Sequence, residues 1–126
     1  MNYLIDTHVL IWCVMGHPSL PSRFVRELDS TQNSIFVSKA SLWEIAIKIN
    51  LDKLNMGIPF EELEGFLGDK GFVVKEFDYH DLSQLITLPI HHRDPFDRLM
   101  ISQAIVSGYT ILTVGKKFQQ YSVQLL

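Results

Sequence analysis

Apolar residues along the chain alternate between two rhythms. Short runs rich in β-branched and aromatic residues lie at Asn2-Tyr-Leu-Ile5, Ser34-Ile-Phe-Val37, Phe72-Val-Val-Lys-Glu-Phe77 and Thr110-Ile-Leu-Thr113, and predict four buried strands. Ser122-Val-Gln-Leu125 predicts a fifth at a sheet edge. Helical patterns stand between them. One runs from His8 to Met15, and a second, entered through Pro21, from Ser22 to Leu28. Ser38 is placed to cap a third that reaches about Asn50, with Leu42, Ile45, Ala46 and Ile49 on one stripe. Pro59 opens a fourth, with Phe60, Leu63, Phe66 and Leu67 on one side, before Gly68-Asp-Lys-Gly71 turns the chain. Asp94-Pro95 starts the best-marked helix, which carries Phe96, Met100, Ile101, Ala104 and Ile105 and stops at Gly108.

Strands alternating with helices imply a three-layer α/β/α fold around a mostly parallel sheet of four to five strands. With 126 residues and no linker or repeat, residues 1–126 are expected to form one domain. Sheets of this kind bind ligands beyond the carboxyl ends of their strands, which directs attention to Asp6, Ser38, Asp78 and the Val114-Gly115 turn.

Composition narrows the chemistry. A content of 47% hydrophobic and 20% charged residues excludes a disordered chain. A net charge of -3 argues against a passive nucleic-acid binder with a broad basic face. Contacts to nucleic acid would have to come from local groups, such as His91-His92-Arg93 with Arg98, or Lys116-Lys117. The one cysteine, Cys13, cannot form an internal disulfide, and neither a signal peptide nor a membrane span is legible, so a cytoplasmic setting is expected.

Each notable acid has a plain structural reading beside a chemical one. Asp6, at the end of the first strand, is either a cap for the helix behind it or a ligand at the sheet mouth. Glu44 lies opposite the apolar stripe of its helix, where it either forms a solvated pair with Lys48 or ligates a metal. Asp94 and Asp97 flank Pro95 at the cap and first turn of a helix, where acids complement the dipole. The set says more than its members do. Carboxylates gathered without a cation repel one another, whereas magnesium or manganese takes hard oxygen ligands and activates water against a phosphodiester.

Three segments then carry a resemblance: Leu4-Ile5-Asp6-Thr7-His8-Val9-Leu10-Ile11-Trp12, Ser38-Lys39-Ala40-Ser41-Leu42-Trp43-Glu44-Ile45-Ala46, and His92-Arg93-Asp94-Pro95-Phe96-Asp97-Arg98-Leu99. In order and spacing the chain resembles PIN domains of the VapC toxin type, over nearly its whole length. The resemblance implies Asp6, Glu44 and Asp97 as metal-ligating and catalytic acids, with Asp94 a neighbouring catalytic acid. It implies a magnesium- or manganese-dependent endoribonuclease acting on RNA, a homodimer, and a VapB-like antitoxin as partner. One position departs from the pattern: Thr113-Val114-Gly115 carries glycine where many relatives place a fourth acid. The alternative reading is therefore a weakened PIN domain that binds or assembles without cutting. An aspartyl-phosphate enzyme fits less well, because it needs a second acid where His8 stands.

Other residues are expected to be structural. Cys13 should pack in its helix, His91 and His92 should be solvated loop residues, and Trp43 and Ile47 should belong to the core.

Overall fold

The computed structural model describes residues 1–126. Strands β1 (Asn2–Ile5), β2 (Ser34–Ser38), β3 (Val73–Lys75) and β4 (Thr110–Leu112) form one sheet in the order β3-β2-β1-β4. All three pairings are parallel, with Ile5 opposite Val37 on one side and Leu112 on the other. Around the sheet lie α1 (Thr7–Met15), α2 (Ser22–Asp29), α3 (Lys39–Asn50), α4 (Leu63–Lys70), α5 (Tyr79–Thr87) and α6 (Pro95–Ser107).

Alternation along the strands divides the core in two. Tyr3 and Ile5 of β1, with Ile35 and Val37 of β2, pack on one face against Val9, Leu10, Phe24, Ile45, Leu63 and Leu67. Leu4 and Ile111 point to the other face and meet Met100, Ile101 and Ala104 of α6, with Phe118 and Tyr121 from the C-terminal segment. The expected three-layer α/β/α arrangement is the one observed, and its sheet has four strands.

Several boundaries depart from the sequence reading. Ser122–Leu125 makes only an isolated parallel bridge, Leu125 to Ile111, because β4 is itself three residues long and offers little ladder to extend. The third strand is shorter than its apolar run and ends at Lys75. Beyond Pro59 the chain first makes a single 3-10 turn, Phe60–Glu62, before α4 begins. Gly68 lies inside α4, and Gly71 alone ends it, in the left-handed conformation at φ 73°.

Helix α5 has no counterpart among the expected elements. It opens on a capping box, in which Asp78 accepts from the His80 and Asp81 amides while Asp81 Oδ2 accepts from the Asp78 amide at 3.0 Å. Asp78 is thus an exposed helix cap and takes no part in the sheet mouth. The outer side of α5 presents Tyr79, Leu82 and Ile86 at helical spacing, continued by Ile90. Tyr79 is 87% exposed and Ile86 84%, an apolar stripe without a covering element in the single chain.

Candidate active site

The carboxyl ends of β1 and β4 open into a pocket of about 400 Å³. Its lining includes Asp6, Glu44, Asp94 and Asp97, with His8, Lys48, Val114 and Gly115 around them. Four acids separated by up to 91 positions in sequence thus share one cavity, as the strand-end rule requires.

Asp6 leaves β1 as its backbone amide donates to Leu112 O of β4 at 3.0 Å. The side chain then does two jobs. Oδ1 accepts from the Val9 amide at 2.8 Å and caps α1, while Oδ2 accepts a hydrogen bond from the Thr113 hydroxyl. Cap and pocket acid are therefore the same residue. Burial raises the Asp6 pKa from its ordinary value, and Glu44 adds to the rise; the bonds from Thr113 and Val9 and the nearby His8 oppose it.

Glu44 is held in the second turn of α3, whose N-terminus is capped by Ser38 through the Ala40 amide at 3.1 Å. The expectation of a solvated pair with Lys48 is half correct. Lys48 Nζ does lie 2.8 Å from Glu44 Oε2, but Glu44 is only 6% exposed and its other oxygen accepts from Thr7 Oγ1 at 2.7 Å. A buried carboxylate held by a hydroxyl and one lysine is aimed into the cavity that it lines.

Asp94 and Asp97 divide the start of α6 between them. Asp94 Oδ1 accepts from the Phe96 and Asp97 amides at 2.9 and 3.0 Å, with Pro95 at the first helical position. Asp97, half-buried one turn into the helix, has its pKa pushed up to about 6. Burial is the largest cause and the Asp94 charge the next; Glu44 and Asp6 add to it, against a lowering hydrogen bond from His92. Asp97 therefore feels each of the other three acids.

The residues fit a divalent ion of the hydrated kind. All four acids are hard oxygen donors, and Lys48 is the one lysine or arginine paired directly with any of them. They do not converge as a ready-made cage of three or more ligands. Magnesium tolerates such a site, since it keeps several waters and takes only one or two protein carboxylates.

Three participants escaped the sequence reading. Thr7 and Thr113 hold Glu44 and Asp6, and a hydroxyl directly behind each strand was the available signal. His92 is buried, 9% exposed, where a solvated loop residue was expected. Its Nδ1 lies 2.7 Å from Tyr121 Oη and its Nε2 3.3 Å from Asp97 Oδ2. His91 stays exposed and meets the Tyr121 ring edge-on. Trp43 is 60% exposed and edge-on to Phe96, which corrects its assignment to the core; Ile47 is half-buried. Cys13 packs against the larger core cluster, and burial raises its thiol pKa, as a structural cysteine requires.

Gly115 lines the pocket, and its amide donates to Thr113 Oγ1 at 2.9 Å. A Cβ added there would lie 3.1 Å from Cδ2 of Phe118 and 3.3 Å from Thr113 Oγ1. Any side chain at 115 therefore needs the Phe118 ring to yield by a few tenths of an ångström.

The family profile of the PIN domain matches residues 3–124. The chain belongs to the PIN domain family. No curated protein matches it, but solved structures share the PIN fold over nearly the full length. The chain superposes on VapBC2 from Rickettsia felis bound to a DNA fragment from their promoter with a TM-score of 0.76 and 20% identity, covering 100% of this chain and 98% of that one. FitAcB from Neisseria gonorrhoeae gives 0.71 and 19%, over 98% and 96%. VapBC-1 from nontypeable Haemophilus influenzae gives 0.70 and 17%, over 100% and 97%.

Asp97 yields a pH prediction. Its folded pKa of about 6 stands above the ordinary 3.8, so the stability linked to its proton is complete below about pH 4 and lost as pH rises through 6. Metal-free protein should be less stable at pH 7 than at pH 5 on this account. Asp97→Asn, which keeps an acceptor for His92, should raise stability at pH 7 by about 1–2 kcal/mol after solvent screening and have little effect at pH 4. Thermal unfolding of both proteins across this range is the check; equal melting temperatures at pH 7 would refute the assigned repulsion.

Proposed function

We propose that this PIN domain is a magnesium- or manganese-dependent endoribonuclease, the toxin of a VapBC-type pair, acting in the cytoplasm. The observation that carries the reading is the acid pocket, where Asp6, Glu44, Asp94 and Asp97 face one cavity and raise the pKa of Asp97. Asp6, Glu44 and Asp97 would hold the ion, with Asp94 beside them. When bound, such an ion supplies charge neutralisation at a phosphodiester and acidifies water. The chain's own residues prepare the rest. Thr113 and the Val9 amide fix Asp6, Thr7 and Lys48 fix Glu44, and above about pH 6 Asp97 is charged.

The partner reading rests on the structural neighbours, which include VapBC2, bound to a promoter DNA fragment, and VapBC-1. On this basis a VapB-like antitoxin would neutralise the chain. A homodimer is proposed on a further ground: Tyr79, Leu82, Ile86 and Ile90, on and after α5, leave an apolar stripe to solvent. A second reading, of a weakened nuclease serving as a binding or assembly protein, is favoured by Gly115, since Phe118 already occupies the space beside it.

Three outcomes follow from these readings. Manganese or magnesium should support cleavage of a single-stranded RNA, and chelation should abolish it. Asp6→Asn or Glu44→Gln should each lower cleavage by at least about 100-fold and weaken manganese binding by calorimetry. Cleavage that survives both substitutions would remove the assignment.

Gly115→Asp should tighten manganese binding several-fold and raise cleavage, more so when Phe118→Leu clears the ring. If neither variant changes affinity, position 115 is not directed at the ion. If the wild-type chain is inert and the paired substitutions restore cutting, the weakened reading is correct.

Light scattering at micromolar concentration should show a dimer that Ile86→Glu converts to monomer, because a carboxylate would be buried in the apolar stripe. A monomeric wild type, or a dimer indifferent to Ile86→Glu, would place the interface elsewhere.

A further inference from the structure

Tyr121 stands 24 positions from Asp97 in sequence, yet its hydroxyl meets three nitrogens at the edge of the acid pocket. The backbone N–H of His92 donates to it at 3.2 Å, and Arg98 Nη1 donates at 3.1 Å. Both are donors under any protonation. A phenol oxygen has two lone pairs and one proton, so these two bonds fill its accepting capacity. Its own proton must then be given away, and the atom at 2.7 Å is His92 Nδ1.

Nδ1 can accept that proton only as an unprotonated nitrogen. The neutral ring therefore carries its hydrogen on Nε2, which lies 3.3 Å from Asp97 Oδ2. The opposite tautomer fails at both ends. It would press a third donor onto the phenol and turn an imidazole lone pair toward a carboxylate oxygen. The other side of the network is equally fixed: Arg98 also donates to Pro89 O at 2.8 Å and to Leu88 O at 3.3 Å, which ties it to the loop preceding His92.

We infer that His92 is a positioning residue, locked as its Nε2–H tautomer by Tyr121, that fixes Oδ2 of Asp97 and leaves Oδ1 to the pocket. Donors run one way, from Arg98 through Tyr121 and His92 to the carboxylate. A cation at one end and an anion at the other polarise each bond in the same sense. His92 touches no reacting atom; it acts through the rotamer and charge of Asp97. The part concerning an ion rests on the nuclease reading above, whereas the tautomer does not.

The test uses the full chain, labelled with nitrogen-15. Ring nitrogen shifts at neutral pH distinguish the two tautomers, and the His92 signals among the five histidines are those lost in His92→Gln. The wild type should show a protonated Nε2 and an accepting Nδ1. Tyr121→Phe keeps the buried ring but deletes the donor, so the His92 shifts should move toward a mixture of tautomers. Manganese affinity, read by calorimetry, should fall by about 10-fold in that variant and in His92→Ala. His92→Gln, whose amide restores an N–H toward Asp97, should recover affinity to within about 3-fold of wild type. A merely structural role would lower melting temperature without moving the shifts and without rescue by glutamine. A wild-type ring protonated on Nδ1, or Tyr121→Phe with unchanged shifts and affinity, overturns the inference. A wild type with the stated tautomer that binds no manganese overturns the nuclease reading, and the inference is then decided by the shifts alone.

Discussion

A carboxylate taken out of water must be met on every side by donors, and Asp6 is only 5% exposed. The donors it has found belong to different parts of the fold. One is the first turn of α1, another the hydroxyl that follows β4, and the residue's own amide is bound to Leu112. Meeting this one charge therefore fixes where α1 starts, how β1 and β4 register, and where the Thr113–Gly115 turn lies. The same hydroxyl that serves Asp6 accepts from the Gly115 amide, so the turn cannot shift without loosening the acid.

The pocket beyond Asp6 shows what a fold tolerates for chemistry. Hydrophobic packing on both faces of the sheet supplies the stability, through two clusters separated by the strands. The mouth works against it: Asp94, Asp97, Glu44 and Asp6 raise one another's energy, and only Lys48 is paired directly with any of them as a permanent cation. Caps and hydroxyls relieve part of that cost, since Asp94 completes the first turn of α6 and Thr7 completes Glu44. Such crowding of acids costs stability, the ordinary trade at a functional site.

How much of this was legible depended on where each signal lay. β1, β2, α3 and α6 could be read because pattern, cap and burial agree: Ser38 and Asp94 are caps, and Ile45, Met100 and Ile101 face the core. Asp6, Glu44, Asp94 and Asp97 could be named from motif and spacing, and the structure gathers them in one pocket. Helix α5 was missed because its polarity is inverted. Its one fully buried residue is Asp81, and Tyr79 and Ile86 point outward, so apolar periodicity reports a face turned away from the core. His92 and Tyr121 were invisible for another reason. A histidine in a polar loop reads as solvated, and only the return of the C-terminal segment buries it. Sequence patterns report local burial well; they carry little about which distant hydroxyl will meet a given side chain.

That return has a consequence for the protein's birth. Asp6 and Glu44 are made well before Asp94 and Asp97, and the groups that hold Asp6 and His92, Thr113 and Tyr121, come later still. β4 must also slot beside β1, a pairing across 107 positions from Tyr3 to Thr110. Contacts so far apart form late, after most of the polypeptide has been made. A nascent chain on the ribosome thus carries Asp6 before the Thr113 hydroxyl that holds it. The pocket closes only when residues 113–121 have left the exit tunnel.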